Sequence, residues 1–353
     1  MVSLLERNER LFFLRDSSRP GPLDFSALAG PQVTIVDVGP DPFSLSQQWT
    51  LPRLLRSLRP DMYHSPYIMM PYWPSVPTIV TVHDLIPLVL PGESSGKARA
   101  FFRWALRLAL RASSRVLAVS ESTRQDLLKH TRYRADRITV TLLGADSRFQ
   151  PVPPAEIDVL KARLGLNEKY ALYLGTFKPH KNLARLLGAW SRLDSGYMSL
   201  VVAGLEPKER QAAQRWNRGG PGIFFLGRVE EADLPALYSG ADLFIFPSLH
   251  EGFGLPVLEA MACGTPVVCA DSSSLVEVAG KAAVYFNPAD EDDMVRTLSL
   301  LVNDRERLDK MREESLAGAA AFSWEQTATR TLHEYRRLYR DSSPDIRAGQ
   351  ASP

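Results

Sequence analysis

A chain of 353 residues is long enough for two ordinary domains, and its 45% hydrophobic content excludes intrinsic disorder. No apolar run reaches the roughly 18 residues of a membrane span, residues 1–10 lack the apolar core of a secretion signal, and Cys263 and Cys269 are the only cysteines, so a cytoplasmic protein without disulfides or zinc is expected. The net charge of +2 conceals an asymmetry, with 19 Lys and Arg against 13 Asp and Glu in residues 1–150 and 23 against 27 in the remainder, so the first half is expected to face something anionic.

Short β-branched and aromatic runs alternate with helical periodicity along the whole chain, which predicts an α/β fold of parallel sheets built from β–α–β units. The first half offers strands over 10–15, 33–38, 61–64, 78–83, 116–120 and 138–142. The strand 78–83 ends in His83-Asp84, where a ligand-facing histidine and a satisfied structural one are both open readings. Arg99, Arg103, Arg107, Arg111 and Arg115 recur every four residues through 98–115 and predict a basic stripe along one helix. That stripe suits an anionic membrane surface, or equally the solvated face of a helix packed on its sheet. The apolar loop Tyr67-Ile-Met-Met-Pro-Tyr-Trp73 is ambivalent in the same way, as an acceptor pocket or a lipid contact. Aromatics do not interleave with the arginines on the basic face, which argues against a nucleic-acid partner.

Phe149-Gln-Pro-Val-Pro-Pro154 is the strongest linker signal in the chain. Residues 149–168 are therefore assigned as a linker between a first domain over 1–148 and a second over 169–321. The second half offers strands over 170–174, 199–203, 223–226, 243–246, 266–269 and 283–286. A helix follows over 322–340, and the Ser- and Pro-containing tail 341–353 is expected to be disordered. Two doubly wound domains in tandem place ligands beyond the carboxyl ends of their strands, so the cleft between them is the expected site.

Several strand ends in the second half carry suitable chemistry. Gly175 closes one strand, and Thr176, Lys178, His180 and Lys181 follow at a helix entrance, where two lysines suit a diphosphate or form a solvated basic turn. Gly227-Arg228-Val229 offers backbone contacts to a ligand ring, or a plain turn. The stretch His250-Glu-Gly-Phe-Gly-Leu-Pro-Val-Leu-Glu259 is the most informative. Gly252 and Gly254 let the backbone approach a ligand, Pro256 suits a first helical turn, and the helix start favours phosphate oxygens. Glu251 and Glu259 would accept hydrogen bonds from hydroxyls; an ordinary capped helix with two surface glutamates is the other reading.

The segment from His250 to Val268, with its two glutamates, resembles the E-x7-E signature of the retaining glycosyltransferases of family 4. Matches elsewhere come in the family's order: Thr81-Val-His-Asp-Leu-Ile-Pro-Leu88, Val119-Ser-Glu-Ser122, Pro179-His-Lys-Asn-Leu183, Leu226-Gly-Arg-Val229 and Phe322-Ser-Trp-Glu325. The resemblance implies the GT-B fold, two facing Rossmann-like doubly wound domains with a C-terminal crossover helix that returns to the first. It further implies that Glu251 holds donor-sugar hydroxyls, with the backbone of Gly252, Phe253, Gly254 and Leu255 at the sugar and phosphates. Glu259 would accept the ribose hydroxyls and Lys181 would bind the diphosphate, within the loop of Gly175, Thr176 and Lys178. The nucleobase would lie near Arg228 and Val229, and His83 would sit over the donor sugar from the opposite domain. The scheme requires no metal and no cofactor. Thr176 stands where many members carry arginine, and Lys178 is placed to supply that charge.

The Pro-His-Lys-Asn form resembles a branch of mannosyltransferases of surface-polysaccharide assembly, which points to GDP-mannose as donor and a glycan or lipid-linked acceptor. Peripheral contact with the inner face of the membrane through the first domain accompanies that expectation. Members usually open with a strand, a glycine-rich loop and a helix; here the run 10–15 looks like the family's second strand. A unit of about 30 residues is thus expected to be missing. A truncated, catalytically impaired nucleotide-sugar-binding partner of another glycosyltransferase is the alternative function.

Overall fold

Among the described residues, twelve strands form where β-branched and aromatic side chains run together, and the computed structural model of the chain arranges them in three sheets with every strand pairing parallel. The structure describes residues 1–16, 28–39, 44–194, 198–216 and 222–342. Each strand lies within two residues of its expected place.

In the first domain β1 (Leu11–Arg15) pairs with β2 (Val33–Asp37) as a two-stranded sheet of its own. After α1 (Gln47–Leu58) come β3 (Tyr63–Ser65), β4 (Thr78–Val82), α2 (Ile86–Val89), α3 (Gly96–Ala112), β5 (Arg115–Ala118), α4 (Glu121–His130) and β6 (Ile138–Val140). Strands β3 to β6 form a second sheet in sequence order, not hydrogen-bonded to the β1–β2 pair. Its core joins Val80, Val82, Val116 and Ala118 to Leu106, Ala109 and Leu110 of α3. At about 25 cal/mol per Å² of apolar surface, that inward face of α3 is what holds the helix on its sheet.

The arginine stripe on α3 is shorter than the sequence pattern. Ser95 caps the helix start by accepting from the Ala98 amide at 3.2 Å, and the helix ends at Ala112. Arg115 therefore opens β5 instead of extending the stripe. It is buried, with Glu334 at 3.5 Å and Asp341 at 2.6 Å, because a cation taken out of water needs carboxylates around it.

The second domain starts earlier than expected. Within 149–168, assigned as a linker, the Pro153-Pro154 pair opens α5 (Pro154–Leu164), which Gly165 closes at φ +64. Leu160 is buried in the second domain's core and the buried Phe149 ring meets Tyr238 edge-on at 5.9 Å, so this segment is packed structure. There follow β7 (Tyr170–Leu174), α6 (Leu183–Trp190), β8 (Ser199–Ala203), α7 (Pro207–Gln214), β9 (Ile223–Gly227), α8 (Leu234–Ser239) and β10 (Leu243–Phe246). The domain closes with α9 (Leu255–Ala262), β11 (Val267–Ala270), α10 (Ser273–Ala279), β12 (Ala283–Phe286), α11 (Glu291–Leu301) and α12 (Arg305–Ala319).

The sheet order is β12-β11-β10-β7-β8-β9. The chain winds from β7 to β9 on one side and returns to the other with β10, so the strand order reverses between β7 and β10. In such sheets the crevice beyond that reversal is where ligands bind.

Helix α13 (Trp324–Ser342) then crosses back to the first domain. Leu338 packs with Ile79 and Leu117, the Tyr335 hydroxyl meets His64 Nδ1 at 2.5 Å, and Arg336 reaches Glu9 at 2.7 Å. The helix runs past the expected boundary, so Asp341, assigned to the tail, is helical; residues 343–353 of the expected tail lie outside the described residues. Among the described residues no helix is long and apolar enough to cross a membrane.

Candidate active site

The loops that leave β7 and β10 meet at the reversal, and one asparagine ties them together. Asn182 follows the turn Pro179–Lys181 with φ +57, a left-handed conformation in which asparagine is enriched. Its side-chain amide donates to the carbonyls of Pro247 at 3.1 Å and Pro288 at 2.9 Å. The turn so held aims Lys181 at Glu251, with Nζ 2.7 Å from Oε1 and 5.2 Å from the centre of the Phe246 ring. Both side chains are largely shielded, at 17% and 11% exposed, so the pair interacts in a lower dielectric than a surface salt bridge.

Glu251 is fixed by residues that the sequence reading did not single out. Its amide donates to Ser273 Oγ at 2.9 Å and its carbonyl accepts from Ser274 Oγ at 3.0 Å. The serine run 272–274 directly after β11 was the available signal, since strand ends in such sheets face the crevice. Beside the pair, Tyr173 donates its hydroxyl to the Thr176 carbonyl at 2.9 Å; burial, then the nearby Glu251 charge, hold its phenol well above the usual range. Thr176 Oγ1 is buried and makes no hydrogen bond within the described residues. Gly175 continues the sheet by donating to the Ala203 carbonyl at 3.1 Å, while Lys178 is exposed.

Gly252 has a different reason for its missing side chain than the sequence suggested. A Cβ there would lie 1.9 Å from the His83 carbonyl oxygen, so the close approach is by the backbone of the first domain. The Gly252 carbonyl accepts from Ser120 Oγ at 2.6 Å and Thr123 Oγ1 at 3.1 Å, which locks the two domains at this point. Gly254, at φ +97, caps the start of α9. Phe253 is buried against Phe322 edge-on at 6.0 Å and is a packing residue, while Leu255 begins the helix. His83 itself is exposed at the cleft, with Nε2 2.9 Å from the Pro66 carbonyl oxygen.

Glu259 stands one turn further along α9, where the Tyr238 hydroxyl donates to it at 3.0 Å. Burial raises its carboxyl above the ordinary range, against the lowering effects of Tyr238 and Arg148. Arg148, which the sequence reading passed over, is shared with Glu231 at 3.0 Å. Across from this corner, Gly227 adopts φ +76 and accepts from the Gly204 amide at 2.7 Å, which aligns the ends of β8 and β9. Arg228 is exposed and Val229 packs partly on the core. The Asp-x-Asp triplet Asp290-Glu-Asp292 serves the start of α11, where Asp290 Oδ1 accepts from the Asp292 and Asp293 amides.

Further contacts across the cleft were not legible in the sequence. His180 Nδ1 lies 2.7 Å from Glu93 Oε2, and His250 Nε2 lies 2.8 Å from Asp126 Oδ2. Glu277 accepts from the Glu121 amide at 2.9 and 3.0 Å, placing a carboxylate at the positive end of α4.

The description Glycosyltransferase Family 4 matches residues 10–149, and Glycosyl transferases group 1 matches residues 156–316. The O-antigen chain mannosyltransferase B of Escherichia coli is 34% identical over 300 residues, covering 83% of this chain and 77% of that protein. The chain belongs to glycosyltransferase family 4. The serotype-specific mannosyltransferase WbdA of Escherichia coli is 32% identical over 78% of this chain, which spans 35% of that longer protein. Among solved structures, Anabaena HepE in complex with UDP and glucose superposes with a TM-score of 0.72 at 19% identity, covering 93% of this chain and 100% of that one. Sucrose-phosphate synthase from Thermosynechococcus elongatus gives 0.72 at 20% identity, with 94% and 89% covered. These likenesses show the fold, which is GT-B. In this family 4 glycosyltransferase the signature glutamates thus flank a loop that also closes the domains on each other.

Proposed function

We propose that the protein is a retaining hexosyltransferase that moves mannose from GDP-mannose to a glycan or lipid-linked acceptor in cell-surface polysaccharide synthesis. The observation that carries the reading is the shielded Lys181–Glu251 pair at the strand-order reversal. The 34% identity to an O-antigen chain mannosyltransferase supports mannose over other hexoses. Lys181 neutralises charge building on the departing diphosphate, Glu251 accepts hydrogen bonds from sugar hydroxyls, and Glu259 accepts those of the ribose. Gly175, Thr176 and Lys178 border the phosphates, and Arg228 and Val229 the base. His83 covers the sugar from the first domain.

The bond from the anomeric carbon to the diphosphate oxygen breaks as the acceptor oxygen bonds to the same face. The acceptor's proton passes to the departing diphosphate. The protein supplies position and electrostatic stabilisation, with no protein nucleophile and no metal in the scheme. A lipid-linked acceptor would bring the work to the inner face of the membrane. A second reading, a donor-binding partner without turnover, draws on the separate β1–β2 sheet.

A panel of nucleotide sugars tests both. GDP-mannose at about 100 times its Kd adds about 2.7 kcal/mol of stability, read as a raised Tm, and the product mannoside is α by NMR. A β-linked product, or a preference for a UDP-sugar, overturns the main reading. Donor binding without transfer to any acceptor supports the second.

A further inference from the structure

Each member of the Lys181–Glu251 pair is preceded in the chain by a histidine, and each histidine meets a carboxylate of the first domain. His180 Nδ1 lies 2.7 Å from Oε2 of Glu93, which ends the turn Pro91–Glu93 between α2 and α3. His250 Nε2 lies 2.8 Å from Oδ2 of Asp126 on α4, a close contact without hydrogen-bond alignment. All four side chains are shielded, at 8% exposed for His180 and Glu93 and at 11% and 14% for His250 and Asp126. Taking a carboxylate out of water has a desolvation cost that a single partner seldom returns as net stability. Adhesion between the domains does not need these pairs. Ser120 and Thr123 already hold the Gly252 carbonyl, and Glu277 already holds the start of α4.

What the two pairs add is position. Consecutive Cα atoms are about 3.8 Å apart across a planar peptide, so a histidine cannot shift without carrying its neighbour. His180 sits inside the turn Pro179–Lys181, and its carbonyl accepts from the Leu249 amide at 2.7 Å. That bond joins the Lys181 turn to the loop that carries His250 and Glu251. The first domain thus grips the turn through Glu93 and the loop through Asp126. Each grip lies one residue from a group of the 2.7 Å pair. Among the described residues neither carboxylate bonds to Lys181 or Glu251, so both act through the histidines.

We propose that Glu93 and Asp126 are positioning residues for sugar transfer, which set the Lys181–Glu251 geometry through His180 and His250 when the domains are closed. The inference rests on the reading of that pair as the donor-sugar and diphosphate site. Full-length Glu93→Gln and Asp126→Asn are compared with the wild type, using the nucleotide sugar that the wild type turns over fastest. Each is expected to lower kcat about tenfold or more while donor KM stays within about twofold, because the pair is misplaced and not removed. On a Lys181→Ala background Glu93→Gln is expected to cost less than about twofold further, and so is Asp126→Asn on Glu251→Ala. Hydrogen exchange in the donor-free protein is expected to quicken over residues 178–183 in Glu93→Gln and 248–252 in Asp126→Asn, with the radius of gyration unchanged. Glu93→Asp keeps the charge and withdraws it by a methylene; the same kinetic split is expected there at the wild-type Tm. Wild-type kcat in either Glu93→Gln or Asp126→Asn overturns the proposal. So does an equal loss on the alanine backgrounds, or a larger radius of gyration, either of which makes the two pairs plain domain adhesion. Wild-type turnover by Lys181→Ala or Glu251→Ala overturns the reading of the pair itself, and the proposal with it.

Discussion

Replacing Gly252 by alanine isolates domain closure from the chemistry. The added methyl would lie 1.9 Å from the His83 carbonyl oxygen, 2.8 Å from its carbon and 3.0 Å from Asp84 Cβ. An ordinary carbon–oxygen contact is about 3.3 Å, so the facing backbones must part by roughly 1.4 Å. That movement breaks the hydrogen bonds from Ser120 and Thr123 to the Gly252 carbonyl. Two such bonds at about 1 kcal/mol each, with about 1–3 kcal/mol for overpacking, set roughly 3–5 kcal/mol against the closed arrangement. At about 1.4 kcal/mol per decade, its population falls by on the order of 10²–10³-fold. Each domain keeps its own core, so Tm should move little. The expected result is a loss of at least about 10² in kcat/KM with a larger radius of gyration in solution scattering. Gly92→Ala, where a Cβ meets nothing within 4 Å, serves as the neutral control. Wild-type kcat/KM and an unchanged scattering profile in Gly252→Ala would refute the reasoning.

Three further outcomes follow from individual contacts. Tyr238→Phe leaves Glu259 without its 3.0 Å donor, so donor KM should rise about tenfold with kcat nearly unchanged, by steady-state kinetics. Burial first, and His83 second, depress His64 to about 4 from 6.5, so the folded chain keeps it neutral while the unfolded chain takes a proton. Its contribution to stability is whole above pH 6.5 and is lost by about 1.4 kcal/mol per unit as the pH falls towards 4. The urea midpoint should trace that loss, and His64→Gln should flatten it. Arg115→Met strands the buried Glu334 carboxylate and should cost roughly 3 kcal/mol in urea unfolding, at the low end for a broken buried pair because Arg337 remains 3.7 Å away.

What could be read in advance was what is local. Runs such as Ser199–Ala203 and Leu243–Phe246 are apolar because both faces of a parallel sheet are covered, and their places were legible. So was the convergence of Lys181 and Glu251, because strand ends in such sheets share one crevice. Arg115 was misplaced because its partners Glu334 and Asp341 are more than 200 residues away, and a four-residue repeat carries no information about burial. The linker signal at residues 149–154 was genuine proline chemistry, but proline also opens helices, and tertiary packing of Leu160 decided between them. Gly252 shows the same limit: glycine announced a close approach, and only the folded chain reveals that the approaching group is the His83 carbonyl.

The claim that Lys181 and Glu251 form one catalytic unit is tested most directly by a double-mutant cycle of donor turnover. Lys181→Ala and Glu251→Ala are each expected to lower kcat/KM by about 10² or more, and the double variant by little beyond the worse single. Near-wild-type turnover in either single variant, or losses that simply add, would contradict it.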